Sequence, residues 1–319
     1  MAVLRQPSRL LLAVVVGLVL ALLIDIARVG GPGAWLARHR VAPVAIGQGE
    51  RIDLGGRSLY LDCRGTGSPT IVLEAGMGDG VAGWTPVHDG IAATTRTCAY
   101  DRAGRGSSDA RGHHTVADAT DDLRNLLNVA GESPPFIVIG HSLGEVYARV
   151  FAHRHRADVA GLVLVDGFSV DLEVDWIHPL LGDLRLEYEQ RAQQLRDLVS
   201  GVEDLDWPSS EAQLRAADVS GLPIVVLRAA REEPRLDGPT NVAIAAAWEL
   251  GYGSLSPGHV RYEIAWGAGH IVQADRPDLV IAAAVELVHA ARRAGLALRS
   301  VTGKDVGAGP GSGRVAYPD

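Results

Sequence analysis

The sequence predicts an α/β chain, with a mostly parallel β-sheet flanked by helices and broken by one helical insertion. Three observations carry this. Short β-branched and aliphatic runs alternate with stretches of helical period. Apolar residues make up 47% of the 319 residues but aromatics only 5%, so the interior must be built from Ala, Val, Leu and Ile, as suits a sheet covered on both faces. The alternation then stops between residues 168 and 219, where no strand pattern occurs.

In chain order, Arg5 and Arg9 precede an uncharged apolar run from Leu10 to Ile24, closed by Asp25. Such a run is long for a signal-peptide core and short of the ~18–20 residues usual for a membrane span. Residues 1–41 therefore read as a signal anchor, or as a cleaved signal peptide, with a linker. A buried helix of the fold is the remaining reading. The expectation is an exported or membrane-anchored protein whose catalytic domain is extracytoplasmic, with possible membrane association through residues 10–26. The net charge of -8 argues against a nucleic-acid partner or an anionic membrane held by bulk electrostatics.

Residues 42–167 read as the first part of the core. Arg51–Leu54 and Ser58–Cys63 form a hairpin through Gly55-Gly56, and Thr70–Leu73 is the next strand. Residues 82–93 are helical and Thr95–Tyr100 is a strand. Val116–Ala130 is an amphipathic helix with Leu123, Leu126 and Leu127 on one face. Phe136–Ile139 is a buried strand, Leu143–His155 a helix and Gly161–Val165 a strand. Residues 168–220, most clearly Asp183–Ser200, are helical and read as a cap over the active site. Residues 221–298 complete the core with strands Pro223–Leu227 and Arg261–Trp266 and a helix Pro277–Arg293. The Gly-rich residues 299–319 read as a disordered tail.

The chemistry concentrates in Gly140-His141-Ser142-Leu143-Gly144, between a buried strand and a helix. This is the G-x-S-x-G nucleophile elbow. A tight strand-to-helix turn projects the serine hydroxyl beside a helix N-terminus, where N–H groups and partial positive charge converge. Serine needs a base, and His270 in Gly267-Ala268-Gly269-His270 follows the last predicted strand. For the acid that orients the imidazole, Asp166 ends the strand beside the elbow, whereas Glu232 and Glu233 follow the Pro223–Leu227 strand. Asp166 is favoured, because Arg228 stands where an acid would be expected at that second strand tip.

An oxyanion hole needs two backbone N–H groups. Leu143 supplies one, and the loop Ala75-Gly76-Met77-Gly78-Asp79-Gly80 the other, through Met77 or alternatively Gly78. Asp101 and Arg102 are expected to pair and pin their glycine-rich loop. Glu145 is expected to interact with the dipole of its helix. Metal and organic cofactors are not implied.

With Leu73-Glu74-Ala75-Gly76-Met77-Gly78, Tyr100-Asp101-Arg102-Ala103-Gly104-Arg105-Gly106, Leu162-Val163-Leu164-Val165-Asp166 and Gly269-His270, the elbow makes the chain resemble the α/β-hydrolase superfamily over residues 50–295. It looks most similar to bacterial serine esterase-like members with a helical cap. The resemblance implies about eight strands in the order 1-2-4-3-5-6-7-8, with Ser142, Asp166 and His270 at their carboxyl ends. Three departures stand out. Ala75-Gly76 replaces the usual His-Gly, Glu145 replaces a second glycine after the elbow, and no acid clearly follows the seventh strand. Some relatives carry the acid after the sixth strand, which Asp166 matches.

That strand order also brings Cys63 and Cys98 onto neighbouring strands. Buried reduced thiols are the favoured reading, with a disulfide as the alternative if the domain is exported. The expected function is hydrolysis of a small, ester-like, uncharged and rather apolar molecule through an acyl-enzyme. A serine at the elbow disfavours the epoxide hydrolase and haloalkane dehalogenase chemistries that use aspartate there. Acyl transfer, amide or lactone cleavage and perhydrolysis remain compatible, as does a non-catalytic binding protein on the same fold.

Overall fold

Along strand β3 (Thr70–Glu74), Ile71 and Leu73 enter one apolar cluster and Val72 another. The same alternation runs through β5 (Phe136–His141), β6 (Val159–Val165) and β7 (Ile224–Ala229). Side chains of a strand alternate between faces, and here both faces are buried. That is why the centres of these strands are apolar. The computed structural model describes residues 49–230 and 235–302.

The sheet has eight strands in the order β1-β2-β4-β3-β5-β6-β7-β8, with β1 (Glu50–Asp53), β2 (Ser58–Arg64), β4 (Thr97–Tyr100) and β8 (Val260–Ala265) completing it. β2 runs antiparallel to β1 and β4, and all other neighbours are parallel. Helices α1 (Thr85–Ala92) and α7 (Pro277–Thr302) cover one face, with Val87, Ile91, Val280, Ala283 and Leu287 in its core. Helices α2 (Val116–Val129) and α3 (Gly144–Arg154) cover the other through Leu123, Leu126, Leu127, Ala148 and Phe151. A capping box between Thr115 and Asp118 starts α2.

Between β6 and β7 lie short turns of helix from Val170 to Leu184, then α4 (Arg185–Glu203) and α5 (Trp207–Arg215). A further helix, α6 (Gly238–Leu255), connects β7 to β8. The sequence pattern had not marked it. Its Gly- and Ala-rich composition shows little facial segregation, although Asp237 capping Thr240 at 2.7 Å and Pro in the first turn are a legible start signal.

Two expectations change here. Cys63 and Cys98 face each other across β2 and β4 and are joined in a disulfide, with Cα atoms 4.0 Å apart, so the favoured reading of free thiols is corrected. Helix α7 runs on through Thr302, past the start assigned to the tail. Among the described residues no helix is long and apolar enough to cross a membrane. Residues 10–26, where membrane association was expected, lie outside the described residues.

Candidate active site

The elbow dictates its own residue types. A Cβ on Gly140 would stand 2.4 Å from the carbonyl oxygen of Gly144, and a Cβ on Gly144 would stand 2.2 Å from that of Glu74. Only glycine allows α3 to leave β5 so closely. Ser142 between them sits at φ +52°, a left-handed conformation that costs about 1–3 kcal/mol for a residue with a side chain. Backbone hydrogen bonds hold it there. Its N–H donates to Val165 O at 3.1 Å, and its carbonyl accepts from Phe168 N at 2.9 Å.

Beyond β8 the chain reverses through Gly267 at φ +79°, and the N–H of Gly269 donates to the Asp275 carboxylate at 2.8 Å. This places the His270 Nε2 3.0 Å from Ser142 Oγ. The His270 Nδ1 lies 2.7 Å from Asp166 Oδ2. Asp166 is 1% exposed. Its other oxygen accepts from the N–H of Ala229 at 3.2 Å, and its own N–H donates to Leu227 O at 2.7 Å. A buried carboxylate needs such partners, and these fix it behind the imidazole. The three side chains thus form one hydrogen-bonded line across the carboxyl ends of β5, β6 and the segment after β8. Glu232 and Glu233 lie outside the described residues.

His141, the variable residue of the elbow, went unnoticed in the sequence. It is 3% exposed, and its Nε2 donates to the His270 carbonyl at 2.9 Å. Its ring stacks obliquely on that of His270, centroids 4.8 Å apart. The elbow therefore grips the histidine loop directly.

Met77 and Leu143 both line the cavity above Ser142. The alternative donor, Gly78, is already committed, since its N–H donates to Glu203 Oε1 at 2.6 Å. The expected Asp101–Arg102 pair does not form. Asp101 accepts from the N–H groups of Val81 at 2.9 Å and Ser107 at 2.8 Å, folding its own glycine-rich loop. Arg102 reaches the other way, to Glu74 at 2.7 Å, to the carbonyls of Ala75 and Gly76 at 2.6 Å each, and to Glu203 at 3.0 Å. It holds the loop after β3 to the end of α4.

Glu145 stands in the first turn of α3, as expected, and is fully buried there. It accepts from Ser169 Oγ at 2.7 Å, from Tyr252 OH at 3.0 Å and from Arg149 at 3.3 Å. Burial pushes its pKa up, and Arg149 and the hydrogen bonds only partly offset this. A second side chain at that position needs space, and Gly167 provides it, where a Cβ would collide with the Glu145 carboxylate.

The cavity measures about 550 Å³. Ser142 and His270 line it together with Phe168, Ile177, Leu181 and Val199, and with Ile244 and Trp248 of α6. From the helical insertion, Leu181 reaches the cavity. Trp207 and Leu214 instead pack on Val146, Tyr147 and Val150 of α3.

Known proteins are similar to this chain in sequence and in fold. The model of the family described as serine aminopeptidase, S33 covers residues 70–230, half of the chain. The chain belongs to this family. It is an α/β hydrolase. Protein YqjL of Bacillus subtilis is 35% identical over 104 residues, 32% of this chain and 41% of that protein. An AB hydrolase superfamily protein of Gibberella zeae is 32% identical over 123 residues, 34% of this chain and 37% of that one. The match spans less than half the length of these curated relatives. A thermophilic esterase from Thermogutta terrifontis shares the fold with a TM-score of 0.51 at 18% identity, over 76% of this chain and 99% of that one.

Proposed function

We propose that this hydrolase cleaves a carboxylic ester through an acyl-enzyme on Ser142. The observation that carries the reading is the line from Ser142 Oγ through His270 to the buried Asp166, at 3.0 and 2.7 Å. Ser142 Oγ attacks the ester carbonyl carbon while its proton passes to His270 Nε2. Asp166 stabilises the resulting imidazolium without taking the proton. The N–H groups of Leu143 and Met77 bind the oxyanion. The tetrahedral adduct collapses, the C–O bond to the alcohol breaks, and His270 returns the proton to the leaving alcohol. Water, deprotonated by His270, then attacks the acyl carbon, and Ser142 leaves as the hydroxyl.

An ester suits the mostly aliphatic cavity wall better than a peptide with a free amino terminus. Such a cation would meet the buried guanidinium of Arg228 there. A hydrogen-bonded serine, histidine and aspartate disfavour a purely non-catalytic role. The disulfide fits the expected export of the domain, since such bonds persist in oxidising compartments. Residues 10–26 are the proposed leader or anchor. The test is hydrolysis of p-nitrophenyl butyrate by the wild type and by Ser142→Ala, with circular dichroism to monitor folding. Turnover that disappears with the hydroxyl supports the reading, and turnover that persists overturns it.

A further inference from the structure

The described residues hold three buried arginines, and they are not equally satisfied. Arg102 makes four hydrogen bonds, to two carboxylates and two carbonyls. Arg149 binds Asp171 through both terminal nitrogens, at 3.1 and 2.6 Å, and Glu145 at 3.3 Å. Arg228, at the carboxyl end of β7, is 7% exposed. It makes one long hydrogen bond, from Nη1 to Tyr252 OH at 3.4 Å. Among the described residues no carboxylate forms an ion pair with it.

A guanidinium carries five donors, and burial opposes its charge, while Asp166 favours that charge from beyond ion-pair distance. The close contacts it makes are aromatic. The guanidinium carbon lies 3.8 Å from the centroid of Trp248 and 5.8 Å from that of Tyr252. Stacking of this kind offsets part of the cost of burial, and it leaves the donors other than Nη1 without a hydrogen-bond partner among the described residues. Arg228 and Trp248 both line the cavity that contains Ser142 and His270. The carboxylates nearby are engaged elsewhere. Asp166 is held by Ala229 and His270, Glu145 by Ser169, Tyr252 and Arg149, and Glu173 lies 3.7 Å from His178.

We infer that the molecule bound in this cavity carries a carboxylate, which Arg228 receives through its unused donors while the scissile bond lies over Ser142. The inference rests on the reading of this cavity as the substrate site. It replaces the uncharged ester expected from the sequence by the monoester of a dicarboxylic acid, or an ester of a hydroxy acid. A planar, pre-stacked guanidinium matches the two oxygens of a carboxylate, and an aliphatic wall beside it accommodates the chain between the two functional groups.

Binding is read without turnover, by calorimetric titration and thermal shift of the intact chain with hexanoate and with hexanamide. Hexanoate is expected to bind and raise the melting temperature, and the isosteric amide to bind at least about tenfold more weakly. Arg228→Gln should remove that preference, and Arg228→Lys should retain part of it. Equal binding of acid and amide by the wild type, which requires no variant to fold, would overturn the inference. So would an undiminished preference in Arg228→Gln. A second arm compares p-nitrophenyl hemiglutarate with p-nitrophenyl valerate. If neither ester is turned over, the proposed hydrolysis fails, while the hexanoate titration still decides whether Arg228 is a carboxylate site.

Discussion

The Glu203 carboxylate, in the last turn of α4, accepts the backbone N–H of Gly78 in the loop after β3 at 2.6 Å. The same carboxylate pairs with Arg102 at 3.0 Å, and Arg102 holds the carbonyls of Ala75 and Gly76. One end of the helical insertion is thus tied to the loop that carries the proposed oxyanion donor Met77. Glu203→Gln keeps the shape but leaves Arg102 with only Glu74 as a charged partner. Loss of one member of a buried ionic group costs about 3 kcal/mol, which urea denaturation at neutral pH would measure.

The pH dependence of that difference has a definite sign. Burial alone would raise the Glu203 pKa, but Arg102, the Gly78 N–H and Arg105 outweigh it and hold the group below the ordinary carboxylate range. The unfolded chain has its glutamates near about 4.3. The stabilisation is therefore complete above that pH and is lost as pH falls through the lower folded value. Glu74 shares Arg102, yet burial moves its pKa upward, so total stability mixes opposite trends. The difference between wild type and Glu203→Gln follows Glu203 together with its coupling to Glu74. It should stay constant above about pH 5 and shrink below about pH 4. A difference that does not change with pH would contradict this assignment.

Asp166 is the orienting acid in this account. Asp166→Asn preserves the volume but favours the wrong imidazole tautomer, and kcat on p-nitrophenyl butyrate should fall about 10⁴-fold. Glu232→Gln and Glu233→Gln should each stay within about threefold of wild type, below the 10²-fold losses typical of catalytic proton-transfer groups. A large loss at either glutamate, with Asp166→Asn still active, would move the acid to the segment after β7.

Gly144→Ala tests the close packing of the elbow. Its Cβ would meet the backbone carbonyl of Glu74, which cannot rotate away. The expected destabilisation is at least about 3 kcal/mol, beyond ordinary overpacking, or a failure to fold. A melting temperature within a degree or two of wild type would show that the loop after β3 can retreat from α3.

The disulfide closes a loop with a sequence separation of 35. Loop-closure entropy for such a span corresponds to about 3–4 kcal/mol. The double variant Cys63→Ser, Cys98→Ser should lose roughly that amount in chemical denaturation. Reductant should destabilise the wild type and leave the double variant unchanged. An unaltered wild-type transition in reductant would mean that the bridge contributes nothing to stability.

The sequence made legible whatever depends on local pattern. The apolar runs located β3, β5 and β7, and the leucine face of α2 appeared at Leu123, Leu126 and Leu127, all now buried. Gly140 and Gly144 pointed to the elbow because their steric demand falls within a few residues. What remained hidden depends on partners distant in the chain. Glu145 reads only as a first-turn carboxylate beside its helix dipole, and its partners Ser169 and Tyr252 are not legible locally. Arg102 has Asp101 as its neighbour in sequence but Glu74 and Glu203 as partners in space. His141 and Arg228 acquire their roles only when the loop after β8 and the helix α6 are brought to the sheet edge.

The central claim is that position 142 carries an activated nucleophile, and reaction with a fluorophosphonate probe tests it most directly. The intact protein should be labelled at one site, located to Ser142 by peptide mass spectrometry, and His270→Ala should lose at least about 10³-fold in labelling rate. A folded wild-type protein that the probe leaves unmodified, or that it modifies at another serine, would contradict the account.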